Sequence, residues 1–223
     1  MKYSILFLGR KRCNYTSKLE KYLKDYSNTL VSIKSKKIGE KINQKKIKKK
    51  IFDYIICYRS FFLLDNKILS KTKIASINFH PGPPTYRGIG CINFALFNGE
   101  KKFGTTAHLI NDKIDYGNIL DISFFKFNES DNLEKCLEKT HKNMFIQTKK
   151  VLDYIFKNAK NIKKLANKNK NKKWSKKLYK KKDLEKLYKT EKIMTQKKLE
   201  RFKRATIYKN FKPKILEFKN RTN

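Results

Sequence analysis

A small set of polar residues in this sequence has the types and spacing needed for chemistry. Asn78 and His80 stand two residues apart at the end of an apolar run, and Asp115 follows downstream. Residues two apart on an extended chain point to the same side, so the amide and the imidazole should face one small volume. An amide N–H can stabilise an oxyanion, and an imidazole can carry a proton near neutral pH. Asp115 could orient the ring and favour its charged form, which suits acyl transfer or hydrolysis.

Each of these residues also has a simpler structural explanation. A histidine at a strand end is often a hydrogen-bonded surface residue, and an aspartate before Tyr-Gly is a common turn former. His80, His108 and Asp115 could instead bind a metal, but His108 lies inside a predicted strand and no short ligand spacing supports such a site. Spacing alone therefore leaves acyl transfer and hydrolysis open, and we expect no metal.

The backbone around this pair is unusually constrained. Residues 77–99 contain three of the four prolines and half of the eight glycines in the chain. Pro81, Gly82, Pro83 and Pro84 follow His80 directly. They should fix the path of the chain as it leaves the strand and keep side chains out of the cleft.

The order of predicted elements favours an α/β fold with a mostly parallel, twisted, doubly wound sheet. Ligands in such sheets bind beyond the carboxyl ends of strands, where Asn78 and His80 are expected. Short apolar runs and alternating patterns predict strands at residues 3–8, 30–33, 52–57, 75–79, 104–110 and 119–127. Helical periodicity predicts helices at residues 17–26, 63–69 and 132–156, with a basic helix or loop at 41–50.

Composition divides the chain into a larger and a smaller part. We expect residues 1–157 to form the catalytic domain. Residues 158–173 are rich in Lys and Asn and are predicted to be a solvated linker. Residues 174–223 regain apolar residues, including the strand-like pieces ATIY at 205–208 and KILEF at 214–218, and should form a small extension.

The formal net charge of +37 invites a nucleic-acid interpretation. However, 49 of the 56 basic residues are Lys and only 7 are Arg, and Asn is also abundant. Dedicated nucleic-acid readers use the bidentate fork of Arg, so a codon-level bias explains the charge better and no specific nucleic acid is expected. Four isolated cysteines, no signal-peptide pattern and no apolar run long enough to span a bilayer predict a soluble cytoplasmic protein.

The combined motif carries a family resemblance. The segment INFHPGPPTYRGIGCINFALFNG at 77–99, followed by FGTTAHLINDKIDYGNIL at 103–120, resembles the 10-formyltetrahydrofolate-dependent formyltransferases. The resemblance implies a Rossmann-like formyltransferase core, with Asn78, His80 and Asp115 as the catalytic trio. It also implies direct transfer of a formyl group from the folate to an amine, without a metal.

Particular segments resemble one branch of that family, the sugar-nucleotide N-formyltransferases. These are the GPP after His80, GIGCINFAL at 88–96 and the tail sequence WSKKLYKKKDLEKL at 174–187. The implied acceptor is a nucleotide-linked amino sugar, most simply a dTDP sugar such as dTDP-4-amino-4,6-dideoxyglucose, for lipopolysaccharide O-antigen and similar surface glycans. The tail would suit a homodimer contact. Arg87, and the lack of a proline in residues 63–69, depart from the branch pattern.

Two alternatives remain open from the sequence. One is a formyltransferase acting on another amine, such as methionyl-tRNA, although about 50 residues after the linker are few for the further domain that such an enzyme would need. The other is an inactive formyltransferase-like protein that binds nucleic acid through its basic surface. The intact trio of Asn78, His80 and Asp115 favours an enzyme.

Binding residues are assigned more loosely. By resemblance, the pterin-like ring of the folate would contact Phe62, Leu64, Leu69, Asn111, Asp112, Lys113 and Ile114. Core packing is an equal alternative for the two leucines. Gly9 and Arg10 could receive a phosphate at a helix N-terminus, and Pro81 and Gly82 would line the acceptor site. Trp174 and Tyr208 could stack on a base or simply anchor the tail.

Overall fold

The computed structural model describes residues 1–189, 195–211 and 213. Within them the fold is α/β, as predicted. The strands are β1 Tyr3–Arg10, β2 Ser27–Ser35, β3 Phe52–Tyr58, β4 Thr72–His80, β5 Arg87–Gly88, β6 Lys102–Leu109, β7 Ile119–Lys126 and β8 Leu178–Tyr179. The α-helices are α1 Asn14–Asp25, α2 Asn66–Leu69, α3 Cys91–Asn98, α4 Leu133–Lys157, α5 Asn161–Lys168, α6 Lys181–Tyr188 and α7 Gln196–Thr206.

Six of these strands form one sheet in the order β2-β1-β3-β4-β6-β7. The first four are mutually parallel, whereas β6 runs antiparallel to both β4 and β7. The central strands β1 and β3 are buried along almost their whole length, as expected for parallel strands covered on both faces. The predicted doubly wound, mostly parallel architecture is therefore confirmed.

Alternating side chains of the central strands feed two separate apolar layers. Ile5 and Phe7 of β1 pack under α1 and α4 with residues such as Leu152. Leu6 and Leu8 of the same strand face the opposite layer. This two-sided burial holds the carboxyl ends of β1, β3 and β4 at one edge of the sheet.

A third apolar cluster fastens the C-terminal part of the chain to the rest. Phe94 and Leu96 of α3 pack with Leu187 of α6 and Phe202 of α7. The short strand β8 pairs with β5, next to the segment that follows His80. No helix among the described residues has the length and apolar content needed to cross a bilayer.

Several local predictions were wrong. The segment 158–173 is not wholly a solvated linker, because α5 forms within it and buries Ile162 in the core. Only Asn66–Leu69 of the predicted helix at 63–69 is helical, since Asp65 caps that helix by accepting the Ile68 N–H at 3.0 Å. The prediction of a basic helix or loop at 41–50 was not wrong, because this segment is a loop with one turn of 3-10 helix at Gln44–Lys46.

The two strand-like pieces of the tail have different outcomes. The ATIY piece is not a strand: Ala205 and Thr206 end α7, and Tyr208 forms only an isolated bridge with Phe211. The KILEF piece lies outside the described residues.

Candidate active site

Three neighbouring elements bring the predicted trio together. Asn78 and His80 end β4, and the antiparallel register places Asn78 opposite His108 of β6. Asp115 lies in the loop between β6 and β7, with a φ of 45°. The trio therefore sits at the carboxyl edge of the sheet, where the sequence predicted it.

His80 is held in its doubly protonated form by its surroundings. Its Nδ1 lies 3.2 Å from Asp115 Oδ2, and its Nε2 lies 2.8 Å from the carbonyl oxygen of Tyr86. Both partners can only accept, so both ring nitrogens must donate, which requires an imidazolium. Burial lowers the pKa of His80, but the Asp115 charge and the hydrogen bonds outweigh it and raise the pKa to about 9.

Asp115 is the matching anion. Burial raises the pKa of its carboxyl, but the His80 charge and several hydrogen bonds outweigh this effect and bring the pKa to about 2. Oδ2 also accepts the Gly88 backbone N–H at 3.0 Å, and Oδ1 accepts from Asn78 Nδ2 at 3.2 Å. A buried carboxylate with this many donors stays charged across the neutral range.

Asn78 has a second partner that sequence reasoning did not assign to it. Its Nδ2 donates to His108 Nε2 at 3.0 Å, while His108 Nδ1 donates to the Leu109 carbonyl at 2.8 Å. His108 Nε2 thus accepts from the amide, and it also lies 3.6 Å from Asp115 Oδ1. The sequence suggested only one possible role for His108, that of a metal ligand. Its place opposite Asn78 depends on the strand register, which a single sequence does not give.

The donors of this centre are all satisfied by protein acceptors in the described state. Both hydrogens of Asn78 Nδ2 and both ring N–H groups of His80 are in use. An acyl oxygen must therefore exchange with one of these acceptors to be stabilised. Asn78 is half-buried whereas His80 is only 2% exposed, so the amide is the donor that a ligand reaches first.

Arg87 secures the loop that carries Asp115. Its Nε and Nη2 donate to the carbonyl oxygens of Asp115 and Ile114 at 2.8 and 2.7 Å, and its Nη1 donates to Ser175 at 2.9 Å. The guanidinium also stacks over the Tyr116 ring. Arg87, which departs from the sequence pattern of the sugar-nucleotide branch, thus holds this loop in place through two hydrogen bonds to its backbone.

Trp174 covers the centre from the C-terminal segment. Its Nε1 donates to the Gly117 carbonyl at 2.7 Å, and its ring meets His108 and His80 edge-to-face at centroid distances of 5.0 and 5.9 Å. The sequence left open whether Trp174 stacks on a base or anchors the tail, and these contacts are those of an anchor.

Gly117 permits the close packing of this loop. A Cβ there would overlap the carbonyl oxygen of Leu109. We expect Gly117→Ala to lower the free energy of unfolding by about 2 to 3 kcal/mol, because backbone rather than a flexible side chain would have to move. Asn118→Ala, at the exposed neighbouring position, should change it by less than about 0.5 kcal/mol. Denaturant titration of both variants measures the difference, and equal effects would contradict this account of the loop.

The predicted cofactor residues divide into buried and exposed groups. Phe62 is buried in the same apolar layer as Leu8, so its role in this state is core packing. Leu64 and Leu69 are half-buried, and Leu64 and Ile110 pack against that layer. The predicted loop contacts follow Ile110 and are all exposed: Asn111, Asp112, Lys113 and Ile114.

The predicted acceptor residues have distinct settings. Gly82 packs directly against His80, because a Cβ there would lie 2.8 Å from His80 Nε2. Its neighbour Pro81 is half-buried. Gly9 is buried, and a Cβ there would overlap the Thr16 side chain. Arg10, at the end of β1, stacks on the Phe61 ring at 4.4 Å. Among the described residues, no group of three His, Cys, Asp or Glu side chains is arranged to hold a metal ion.

The fold and this centre define an α/β protein with a buried Asn-His-Asp arrangement suited to acyl transfer. A family model described as formyl transferase matches residues 8–152. The chain therefore belongs to the formyl transferase family.

Curated relatives match parts of the chain. It is 36% identical over 111 residues to the bifunctional polymyxin resistance protein ArnA of Wigglesworthia glossinidia brevipalpis, covering 49% of this chain and 17% of that protein. It is 34% identical over 101 residues to a methionyl-tRNA formyltransferase of Mycoplasmopsis pulmonis, covering 45% of this chain and 32% of that protein. The matched regions thus span a third or less of these relatives.

Solved structures match the fold over nearly the whole chain. A 4-N formyltransferase of Francisella tularensis has a TM-score of 0.66 at 19% identity, covering 94% of this chain and 90% of that one. An N-formyltransferase of Helicobacter canadensis, in complex with folinic acid and dTDP-3-aminofucose, has a TM-score of 0.61 at 20% identity, covering 92% and 80%. At these identities the likeness establishes the fold.

Proposed function

We propose that this protein is an N-formyltransferase that transfers the formyl group of 10-formyltetrahydrofolate to the amine of a nucleotide-linked amino-deoxysugar. The observation that carries the proposal is the buried ion pair of His80 and Asp115, with the Asn78 amide beside it. Membership of the formyl transferase family supports this use of the three residues.

In the proposed reaction each member of the trio has a defined role. Asn78 donates to the acyl oxygen, exchanging its bond to Asp115 or His108 for one to the developing negative charge. The His80 imidazolium supplies positive charge next to that oxygen, and Asp115 keeps His80 protonated. As the amine forms its bond to the formyl carbon, the bond from that carbon to the folate nitrogen breaks. Asp115 assists removal of the proton that the amine loses, and the departing folate nitrogen takes up one proton in exchange.

The folate supplies the formyl group. The half-buried Leu64 and Leu69 could supply apolar contacts to a flat heteroaromatic ring, and the exposed loop 111–114 could supply polar ones. Phe62 fits less well because its side chain is 8% exposed and packed in the core. We propose that the leucines and this loop make the main contacts.

The acceptor is proposed from two kinds of support. The GPP and GIGC motifs resemble the sugar branch, and a 4-N formyltransferase and an N-formyltransferase share the fold. The Helicobacter canadensis structure holds a dTDP-linked amino sugar, which favours the same class of acceptor here. On this basis we propose a dTDP-linked substrate and a role in surface glycan synthesis such as the O-antigen, in a cytoplasmic enzyme that could form a homodimer.

We also propose a division of the chain into two parts. Residues 1–157 would form the catalytic domain, with the segment 174–223 as a small extension that contributes Trp174 above the centre. Residues 158–173 would connect the two.

A methionyl-tRNA acceptor is the second candidate, because a methionyl-tRNA formyltransferase is 34% identical to the chain over 101 residues. A competition assay separates the two acceptors. The protein is incubated with 10-formyltetrahydrofolate, an equimolar panel of dTDP-, UDP- and GDP-linked amino sugars, and methionyl-tRNA. We expect one sugar nucleotide to be consumed and the tRNA to be untouched. Turnover of methionyl-tRNA alone would move the assignment to the other branch, and salt-sensitive RNA binding without any turnover would indicate an inactive binding protein.

A further inference from the structure

Three consecutive residues, 86–88, contact the ion pair of His80 and Asp115 through different groups. The Tyr86 carbonyl oxygen accepts from His80 Nε2 at 2.8 Å, and the Gly88 N–H donates to Asp115 Oδ2 at 3.0 Å. The side chain between them, Arg87, donates to the backbone of Asp115. This tripeptide therefore holds both members of the pair.

Arg87 is a buried cation that binds only neutral acceptors in its described hydrogen bonds. Its side chain is 6% exposed, and its three bonds all go to backbone carbonyl oxygens rather than to a carboxylate. A guanidinium in that position loses its hydration without the compensation of an ion pair, so stability alone is a weak reason for it. What a guanidinium offers is a rigid fork that fixes two acceptors relative to each other.

The fork closes on two consecutive carbonyl groups of the catalytic loop. Arg87 Nη2 and Nε bind the oxygens of Ile114 and Asp115 at 2.7 and 2.8 Å. Asp115 has a φ of 45°, in the left-handed region that a residue other than glycine keeps only when its surroundings hold it there. The fork thus fixes the backbone from which the catalytic carboxylate projects.

The third bond of Arg87 ties this loop to the C-terminal part of the chain. Arg87 Nη1 donates to the Ser175 carbonyl at 2.9 Å, and the Ser175 N–H donates to the Pro84 carbonyl at 2.9 Å. A few residues later β8 pairs with β5, with Leu178 opposite Arg87. The segment 174–179 therefore lies along the tripeptide and supports it.

We propose that Arg87 is a positioning residue for formyl transfer, which uses the segment 174–179 as its support to hold Asp115 against His80. The reaction named here rests on the proposed function, whereas the positioning does not. The family model ends at residue 152, so the match to it does not imply a contribution from this segment. The C-terminal segment thereby belongs to the catalytic centre rather than being an appended element.

Arg87→Lys tests the fork, because lysine keeps the positive charge but cannot bind two carbonyl groups in the same way. In the sugar-nucleotide assay we expect kcat to fall about tenfold or more, since a small displacement of a catalytic group has an effect of that size. KM for both substrates should change by less than about threefold, because the donors of Arg87 are engaged with the protein.

Nuclear magnetic resonance of the His80 ring gives a second measurement that needs no turnover. Burial lowers the pKa of His80, but the charges of Asp115 and Cys91 and the hydrogen bonds raise it to about 9. Once the carboxylate is free to move away from the ring, the pKa of His80 should fall below about 9. Because Arg87→Lys retains its charge, this fall would report the position of the carboxylate.

Arg204 offers a matched control on a loop that carries no member of the trio. From helix α7, its Nε and Nη2 also donate to two carbonyl oxygens of one loop, those of Asp131 and Asn128, at 2.6 and 2.5 Å. Arg204→Lys should lose stability to a similar degree as Arg87→Lys, but its kcat should stay within about twofold of the wild type. Its His80 titration should be unchanged.

The support from the C-terminal segment has its own variant. Ser175→Pro removes the N–H that binds Pro84 and leaves Arg87 in place. We expect kcat to fall about threefold or more and the His80 titration to move in the same direction as in Arg87→Lys. Thermal unfolding shows which variants are folded, and Ser175→Pro serves where Arg87→Lys is not.

A folded Arg87→Lys enzyme with the wild-type kcat and His80 titration would overturn the inference. Equal losses of kcat in Arg87→Lys and Arg204→Lys would do so as well, because they would show a general loss of stability. A wild-type kcat in folded Ser175→Pro would overturn the role given to the segment 174–179. If the wild type formylates no sugar, the proposed acceptor is removed, and the His80 titration alone decides whether Arg87 positions Asp115.

Discussion

Replacing His80 with alanine is expected to lower the rate of formyl transfer by about a thousandfold or more, because the charge beside the acyl oxygen is lost. In the described part of the chain, His80 is the positive group that bridges Asp115 and the Tyr86 carbonyl oxygen. Steady-state kinetics with a saturating amino-sugar acceptor measures the effect. The fall should appear in kcat, since His80 is buried and acts on the transition state more than on substrate binding.

The substitution leaves Asp115 without its cation, so folding must be checked independently. Thermal unfolding of His80→Ala and of His80→Gln, which retains a donor, gives that control. Both variants should stay folded and slow, with His80→Gln the more stable of the two. A folded His80→Ala enzyme with a wild-type rate would contradict the role assigned to the imidazolium.

Asp115→Asn is expected to reduce the rate by about a hundredfold or more, by changing the protonation of His80 rather than its position. In the wild type the carboxylate outweighs burial and raises the His80 pKa to about 9. Without that carboxylate only burial and weaker hydrogen bonds remain, so the pKa should fall below its ordinary value of 6.5. The variant would then hold a neutral imidazole at pH 7.

Nuclear magnetic resonance of the His80 ring measures this change directly. In the wild type the ring should remain protonated until the pH approaches 9, and in Asp115→Asn it should lose its proton below 6.5. The raised pKa of His80 and the lowered pKa of Asp115 together predict that the ion pair stabilises the fold fully between pH 3.8 and pH 6.5. This contribution declines as the pH rises toward 9, where His80 loses its proton, and as the pH falls toward 2, where Asp115 gains one. An unchanged titration in Asp115→Asn would show that the carboxylate does not control His80. Asp112→Asn, at an exposed position of the same loop, is the matched control.

The parts of the fold that the sequence predicted correctly are those with strong local patterns. Central strands such as β1 and β3 are short apolar runs bounded by polar residues, and α4 has a long amphipathic period that begins at the capping residue Asn132. Helix α3 was not predicted because CINFALFN is almost uniformly apolar and shows no helical period. Helix α5 was missed because Lys and Asn dominate it, although Ile162 and Leu165 provide its buried side.

The trio could be predicted because Asn78 and His80 share one strand and Asp115 precedes a glycine-containing turn. The residues that position it could not. His108, Arg87 and Trp174 reach the centre from another strand, from the following loop and from the C-terminal segment. Their contacts depend on tertiary packing, which leaves no local pattern in a single sequence. Phe62 was predicted to contact the folate, but it packs in the core. Its sequence position does not distinguish a binding residue from a core residue.

The most direct test of the central claim follows the formyl group itself. The purified chain is incubated with 10-formyltetrahydrofolate carrying an isotopic label in its formyl carbon and with the dTDP-amino sugar panel, and the products are examined by mass spectrometry. We expect the label to appear in an amide on one sugar nucleotide, in equal amount to the tetrahydrofolate released, and to be absent with His80→Ala. Release of labelled formate with no labelled sugar in any reaction would contradict the claim that this centre transfers the formyl group to a sugar amine.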